Sequence, residues 1–225
     1  MANETLSSLI TQADSYGYAT VEVEPSIGSL TEAAVAIGGA IKASSIGRLE
    51  LNGERETDWM LRHTESITQP EEELLGYFAL GCIKPAEYDG ATVVYDGIQA
   101  ATVVDDEQPQ LSSITTRYTS TIYDGQLAVH PLVTDTPHGR ALRYRSQART
   151  NELLNLPGGL SETRYYSTVE SILDSSRPYV HQWQPGQLLL VNNRRTIHSR
   201  QPYEGRREMV RYRFDDPHFA TITLH

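Results

Sequence analysis

Alternation of apolar and polar residues along the chain predicts a protein built mainly from short β-strands. Turns rich in glycine and proline separate these strands, which is typical of sandwich and barrel folds. The predicted strands are Tyr18–Val23, Leu74–Ile83, Ala91–Gly97, Ser113–Ile122, Gln126–Val133, Leu188–Val191 and Arg206–Phe214. The residues Tyr123–Gly125 have the composition of a hairpin turn between two of them.

Helical spacing of apolar residues predicts three helices, at Glu4–Ser15, Leu30–Lys42 and Tyr165–Ser175. Thr31 is the predicted N-cap of the second helix, because a hydroxyl at that position can accept a hydrogen bond from a backbone amide. Two polar, irregular segments, 44–58 and 146–163, are predicted to be loops that cover a pocket. We find no linker that divides the chain, so residues 1–225 are expected to form a single domain.

Composition narrows the range of partners and compartments. The net charge of −10 argues against nucleic acid and anionic membranes, and no segment approaches transmembrane length. The single cysteine, Cys82, excludes an internal disulfide and favours a reducing compartment, and Met1–Glu4 lacks the pattern of a secretory signal. We therefore expect a cytoplasmic protein that acts on a small molecule. The sequence carries no signal that fixes the oligomeric state.

The most informative segment is an apolar strand that follows the turn Pro185–Gly186 and ends in a polar loop carrying His198. A second strand then returns with arginines at alternate positions. The two-residue period of a strand places one set of its side chains on a single face, namely Arg207, Met209, Arg211 and Arg213. A row of guanidiniums inside a protein needs anions. Beside a histidine, that row indicates a metal with an anionic co-substrate next to it.

The other metal-ligand candidates lie far upstream, at His63 and Glu65. On an extended segment, side chains two residues apart share a face. Together with His198 they supply two imidazoles and one carboxylate, a set that binds Fe(II) on one face and leaves other positions open. A lone histidine is more often structural or exposed to solvent, and this interpretation applies to His130, His138, His181, His218 and His225.

These motifs resemble those of the taurine dioxygenase and clavaminate synthase group of Fe(II)/2-oxoglutarate oxygenases. The order of the ligands matches, as does the long gap between His63 and His198, and the resemblance covers roughly residues 59–214. It implies a mainly β fold with flanking helices around a double-stranded β-helix (jelly roll) core. It also implies that His63, Glu65 and His198 form the catalytic metal site, with Fe(II), 2-oxoglutarate and O2 as cofactors.

The resemblance extends to the co-substrate. A family strand that ends in Cys-x-x-Pro is followed by Gly-Gly-Glu-Thr, and the corresponding residues here are Asp89-Gly90-Ala91-Thr92. Thr92 thereby inherits a contact with 2-oxoglutarate. Arg207 matches the arginine that clamps the distal carboxylate of 2-oxoglutarate, and Arg211 matches the one that meets an anionic group of the substrate.

Two alternatives for these arginines stay open at the level of the sequence. The loop between His198 and Arg207 is shorter than in taurine dioxygenase, which leaves Arg211 as the second choice for binding 2-oxoglutarate. The strand could also be a solvated basic strand whose arginines pair with Asp215 and Asp216, an arrangement that contributes little to stability.

The resemblance implies hydroxylation, desaturation or ring closure of a small carboxylate-bearing substrate, an amino acid or a derivative in specialised metabolism. Glu65 argues against halogenation, because halogenating relatives lack this carboxylate. The competing interpretation is a jelly-roll binding protein or a cupin-type isomerase, since proteins that share a fold need not share a function. A cupin usually offers more histidines closer together and does not need the two arginines. Iron-dependent formation of succinate from 2-oxoglutarate distinguishes the two classes.

Overall fold

The computed structural model describes residues 3–120, 127–216 and 220–223. These residues form five helices, sixteen strands and a 3-10 turn at Glu71–Glu73. The helices are α1 (Asn3–Tyr16), α2 (Ile27–Ala40), α3 (Gly97–Glu107), α4 (Pro109–Ser112) and α5 (Glu162–Ser175). The strands are β1 (Tyr18–Glu22), β2 (Ser45–Glu56), β3 (Met60–His63), β4 (Tyr77–Lys84), β5 (Tyr88–Asp89), β6 (Thr92–Asp96), β7 (Thr115–Thr119), β8 (Leu127–Pro131), β9 (Val133–Thr136), β10 (Gly139–Leu142), β11 (Asn151–Leu153), β12 (Tyr179–His181), β13 (Gln187–Asn192), β14 (Thr196–Arg200), β15 (Tyr203–Phe214) and β16 (Ala220–Thr223).

Two sheets form the centre of the molecule. The larger sheet has the strand order β1-β13-β4-β15-β2-β16, with β5 paired to β15, and the smaller has the order β12-β6-β14-β3. Side chains from both sheets pack in one apolar cluster, which includes Phe78, Val94, Leu189 and Met209. The predicted fold class, mainly β with flanking helices around a jelly-roll core, is confirmed.

Helices cover the outer faces of the two sheets. Strand β13 is buried on both sides, as expected of a continuous apolar run. Leu188 and Leu190 point into the cluster formed with α1 and α2, whereas Leu189 and Val191 point toward the smaller sheet. On the other side of the molecule, α3 and α5 pack against β6 and β14 through a cluster that contains Val104, Val169 and Ile197. The interior between the sheets is thereby shielded on both flanks.

The structure corrects the prediction for the second helix. Helix α2 begins at Ile27, and Ser26 is its N-cap, with the hydroxyl accepting a hydrogen bond from the Ser29 amide at 3.1 Å. Thr31 lies inside the helix, where its hydroxyl donates to the Ile27 carbonyl at 2.6 Å. The prediction of Thr31 as N-cap was wrong because Ser26 offers the same hydroxyl chemistry one turn earlier.

The prediction that residues 44–58 form a loop was also wrong. They contain β2, which pairs along most of its length with β15. Its side chains are largely exposed and polar, so the strand has no hydrophobic pattern that would reveal it in the sequence. Its stability comes from backbone pairing. Within the predicted loop 146–163, Asn151–Leu153 form β11, which pairs with β7.

Helix α3 was not anticipated from the sequence. The Asp96 side chain caps it by accepting hydrogen bonds from the amides of Ile98 and Gln99, at 2.9 and 3.2 Å. The hairpin turn predicted at Tyr123–Gly125 lies outside the described residues. Among the residues that the structure covers, no helix combines the length and the apolar character needed to cross a membrane.

Candidate active site

The two candidate histidine ligands come together through strand pairing. Strand β14 pairs antiparallel with β3, and the register places His198 directly opposite His63. Strand β3 ends at His63, so Glu65 lies just beyond the strand, in the turn that follows it. Two segments far apart in the sequence thereby present their side chains at the same end of the smaller sheet.

The three side chains converge on a single point. The Nε2 atoms of His63 and His198 lie 3.7 and 3.5 Å from Oε2 of Glu65, and the two imidazole centroids are 4.2 Å apart. One donor atom from each residue lies within 4.8 Å of the others. Nδ1 of His63 lies 2.7 Å from the Leu61 carbonyl, which can only accept a hydrogen bond, so Nδ1 is the donor in this contact and Nε2 is the nitrogen that faces Glu65.

Glu65 is held as a carboxylate. Only 1% of the residue is exposed, and this burial by itself raises the pKa of the carboxyl group. Arg211 and Arg213 outweigh burial, so the pKa of Glu65 lies well below its usual range. Asn193 anchors the backbone by accepting from the Glu65 amide at 2.8 Å and donating to the Glu65 carbonyl at 2.9 Å. The carboxylate is therefore charged and its backbone is fixed.

His198 is suited to act as a neutral ligand. Burial lowers the pKa of His198 well below its usual value, and the proximity of His63 adds to this effect. Its ring packs against Phe78 with the centroids 4.7 Å apart. Two imidazoles and one carboxylate with converging donor atoms fit the ligand set of a non-haem Fe(II) site.

The predicted common face of β15 is confirmed. Arg207, Met209 and Arg211 line one cavity of about 60 Å³, while Val210 and Tyr212 point into the opposite cluster. His198 lines the same cavity, and so do Thr92, Arg200, Leu51, Met60 and Leu80. The candidate co-substrate residues and a candidate metal ligand therefore share one interior space.

Arg207 is a buried cation. It is 6% exposed, and its Nε is without a hydrogen-bond partner among the described residues. Burial, followed by the nearby Arg200, lowers the pKa of Arg207 to about 10, which leaves it charged at neutral pH. The Arg207 guanidinium carbon lies 5.4 Å from the ring centroid of Tyr203. A buried guanidinium beside a cavity marks a position for an anion.

Arg211 and Arg213 both contact Glu65. Nη1 of Arg211 lies 3.2 Å from Glu65 Oε1, and Arg213 forms an ion pair with the same oxygen. Arg213 also contacts the buried Asp216 at 2.8 Å. The sequence offered Asp216 only as a partner for Arg207 and Arg211 in the solvated-strand alternative, whereas here it pairs with Arg213. Arg213 had no assigned role, although the two-residue period already placed it on the face of β15 that carries Arg207 and Arg211.

Thr92 is the first residue of β6 and is buried. Its hydroxyl oxygen accepts a hydrogen bond from Nε1 of Trp183 at 3.1 Å. Sequence reasoning did not single out Trp183. The available signal was its position two residues before Pro185 of the Pro185–Gly186 turn, where an apolar side chain precedes β13.

The remaining histidines lie elsewhere. Nε2 of His130 lies 2.9 Å from the Gln69 carbonyl, and Nε2 of His138 lies 3.1 Å from the Asn192 side-chain amide. His181 is buried, which lowers its pKa to about 4. Among the described residues, only His63, Glu65 and His198 form a group able to hold a metal ion. His218 and His225 lie outside the described residues.

Comparisons with known proteins bear on this site. The family model described as taurine catabolism dioxygenase TauD, TfdA family matches residues 7–213. Pentalenolactone F synthase of Streptomyces arenae is 29% identical over 99 residues, a match that covers 42% of this chain and 33% of the synthase. The chain thus matches about a third of the length of that curated relative.

Solved structures share the fold. PvcB, an Fe, alpha-ketoglutarate dependent oxygenase from an isonitrile synthetic pathway, superposes with a TM-score of 0.75 at 15% identity, covering 94% of this chain and 82% of PvcB. AAD-2, solved in complex with Mn(II) and N-oxalylglycine, superposes with a TM-score of 0.70 at 16% identity, covering 99% of this chain and 90% of AAD-2. At these identities the likeness establishes the fold.

Proposed function

Because the chain belongs to the taurine catabolism dioxygenase TauD, TfdA family, we propose that it is an Fe(II)- and 2-oxoglutarate-dependent oxygenase. Its proposed substrate is a small carboxylate-bearing molecule, an amino acid or a derivative of one. The family identified from the sequence is confirmed, and membership supports the predicted enzyme class. It also supports the predicted cofactors, which are Fe(II), 2-oxoglutarate and O2.

One observation carries the proposal. The donor atoms of His63, Glu65 and His198 converge within 4.8 Å, and His198 lines a cavity that also contains the buried cation of Arg207. A metal-binding protein that does not use an anionic co-substrate has no need for a buried guanidinium beside its ligands. The pairing of a three-ligand site with an anion position therefore favours the oxygenase over the cupin-type alternative.

Each side chain has a proposed task at this site. Nε2 of His63, Nε2 of His198 and Oε2 of Glu65 would hold the metal. Bound there, Fe(II) and 2-oxoglutarate supply O2 activation coupled to oxidation of 2-oxoglutarate to succinate and CO2. Arg207 would hold the distal carboxylate of 2-oxoglutarate through two parallel hydrogen bonds, and Thr92 would donate a third.

The cavity lining serves to keep water out. Apolar side chains face the space between the metal ligands and Arg207, and they reduce its hydration. They are Leu51, Met60, Leu80 and Met209. A dry environment strengthens the interaction of Arg207 with a carboxylate, because charges attract each other more strongly where the effective dielectric constant is low.

Arg211 is proposed to recognise an anionic group of the substrate. Arg211 lines the cavity and also contacts Glu65. A substrate bound near the metal would therefore lie close to the Arg211 guanidinium. Pentalenolactone F synthase and PvcB are named for biosynthetic steps. These names support a substrate from a biosynthetic pathway.

The test is release of succinate. We would incubate the purified chain with Fe(II) and 2-oxoglutarate and screen amino acids and small carboxylates for stimulated succinate formation. We expect at least one compound to raise the rate and Glu65→Ala to abolish the effect. Conversion of a compound without succinate would establish the cupin-type alternative, and failure of the iron-loaded chain to bind 2-oxoglutarate would reject the proposal.

A further inference from the structure

We infer that Trp183 is a positioning residue for the co-substrate, because its indole N–H fixes the Thr92 hydroxyl as a hydrogen-bond donor toward the cavity. The inference rests on the proposed function, in which Thr92 contacts a carboxylate of 2-oxoglutarate. Trp183 itself does not line the cavity. Through its hydrogen bond to Thr92 it favours a hydrogen-bond donor, and not an acceptor, at this position of the cavity wall.

The polarity follows from the chemistry of the two groups. An indole N–H can donate a hydrogen bond but has no acceptor, whereas a hydroxyl can do both. The 3.1 Å contact between Trp183 Nε1 and Thr92 Oγ1 therefore uses the hydroxyl oxygen as the acceptor. In the part of the chain that the structure describes, no other side chain is recorded as hydrogen-bonded to this hydroxyl. The Thr92 proton is thereby left for a different partner.

The cavity determines which partner suits that proton. Thr92 and Arg207 line the same space, and both present N–H or O–H protons to it. An ionised carboxylate has only acceptors and matches this arrangement. An uncharged amide brings donors of its own, and the indole already occupies one of the two lone pairs of the hydroxyl, so Thr92 offers these donors fewer acceptor positions. Trp183 thus helps the site to discriminate between a carboxylate and its neutral analogue.

Packing fixes the direction of the indole N–H. Strand β12 pairs with β6 so that His181 lies opposite Thr92. The His181 ring contacts the Trp183 ring edge to face, with centroids 4.3 Å apart and planes at 87°. Trp183 is 9% exposed and belongs to the same apolar cluster as Met209 and Leu80, both of which line the cavity. The indole is therefore confined between the smaller sheet and the cavity wall.

A double-mutant cycle tests the inference in the full chain loaded with Mn(II). Calorimetry would measure binding of N-oxalylglycine, which carries two carboxylates as 2-oxoglutarate does, to the parent, Trp183→Phe, Thr92→Val and the double variant. Each single variant should bind about fivefold more weakly, the effect of one neutral hydrogen bond. The double variant should bind like Thr92→Val, because no hydroxyl remains to be oriented. Parent-like binding by Trp183→Phe, or independent losses that multiply to about 25-fold, would overturn the inference.

An isosteric replacement keeps the test valid if Trp183→Phe does not fold. The chain has two tryptophans, and Trp59 is 53% exposed. Trp59→Phe is therefore a matched control that should bind N-oxalylglycine like the parent. In this background, feeding 3-benzothienylalanine replaces the remaining Trp183 with a ring of the same shape that lacks the N–H.

The outcomes of this replacement distinguish an error in the role of Trp183 from an error in the proposed function. We expect about fivefold weaker binding with a melting temperature lowered by no more than about 4 °C, because only one hydrogen bond to the hydroxyl is lost. Unchanged binding after removal of the N–H overturns the role of Trp183 and leaves the proposed function intact. Absence of N-oxalylglycine binding in the parent itself overturns both.

Discussion

Two glutamates close together in the sequence, Glu65 and Glu71, illustrate what distinguishes a metal site from an ordinary cluster of charges. Each lies beside two arginines and at least one histidine. Glu65 contacts His63, His198, Arg211 and Arg213, whereas Glu71 contacts His130, Arg143 and Arg194. Residue composition alone does not separate the two clusters.

Geometry and exposure separate them. The Glu65 side chain is 2% exposed and faces two Nε2 atoms, whereas the Glu71 side chain is 36% exposed and faces one histidine. Nε2 of His130 is already hydrogen-bonded to the Gln69 carbonyl. A metal site requires several free lone pairs that converge in one place, and the Glu71 cluster offers too few. It instead joins the loop before β4 to Arg143, which is fully buried.

The largest expected difference between the clusters is in metal binding. His63→Ala, Glu65→Ala and His198→Ala should each lower Fe(II) affinity by more than about 100-fold, because changes to outer partners of ligands already cost about 10- to 100-fold. His130→Ala and Glu71→Gln should retain the parent affinity. Calorimetric titration with Fe(II) under anaerobic conditions provides the measurement. Equal losses in both clusters would show that the effect is a general loss of structure.

The arginines should differ in binding of 2-oxoglutarate. Arg207→Ala should weaken it by about 30-fold to several thousandfold, because a buried carboxylate loses its charged partner at a cost of about 2–5 kcal/mol. Arg194→Ala, in the Glu71 cluster, is the matched control and should bind 2-oxoglutarate as the parent does. If Arg211→Ala produced the large loss and Arg207→Ala did not, the two arginines would exchange their proposed roles.

The Glu71 cluster should contribute to the free energy of unfolding. Glu71→Gln leaves the fully buried Arg143 without its carboxylate, and we expect the free energy of unfolding to fall by about 3 kcal/mol. This value is at the low end of the cost of breaking a buried ion pair, because the Glu71 side chain is partly exposed. Urea unfolding followed by circular dichroism measures the change, with Arg117→Gln on the exposed pair to Glu152 as a control worth less than about 1 kcal/mol. A change in Glu71→Gln as small as in the control would contradict a structural role.

His181 should produce a smaller, pH-dependent effect, because it is buried without a carboxylate beside it. Its pKa in the folded chain is about 4, and in the unfolded chain it returns to its ordinary value near 6.5. Between these values the unfolded chain binds more protons, so stability is complete above the higher value and falls as the pH decreases. From about pH 7.5 to about pH 5 the loss should be about 2 kcal/mol, and His181→Gln should remove it. A parent and variant with the same pH dependence would show that His181 does not titrate in this way.

The convergence of the three candidate metal ligands could be predicted because their signals are local in the sequence. His63 and Glu65 are two residues apart, and His198 follows a strand with a strong turn signal. The shared face of β15 followed from the period of a strand, which needs no knowledge of the partners. The same reasoning did not reach the contact between Trp183 and Thr92, because it depends on the register between β12 and β6 and on the turn that follows.

The missed elements have physical explanations as well. Strand β2 is polar because most of its side chains face solvent, and its pairing with β15 uses the backbone, which leaves no hydrophobic signature. Helix α3 contains several β-branched residues that favour strands, and its signal was the capping carboxylate of Asp96. Local patterns therefore predicted which side chains meet at the candidate site. The elements β2 and α3 could not be predicted in the same way, because they depend on backbone pairing and capping.

The strand order of the larger sheet has a consequence for synthesis on the ribosome. Strand β4 lies between β13 and β15, so both of its neighbours come from the last part of the chain. At roughly 5–20 residues per second, a nascent chain carries His63 and Glu65 for roughly 7 to 27 seconds before His198 is made. During this interval both edges of β4 lack their partners, and unpaired edges are where nascent chains associate. The strand order of the larger sheet thus leaves both edges of β4 open to association in the half-translated protein.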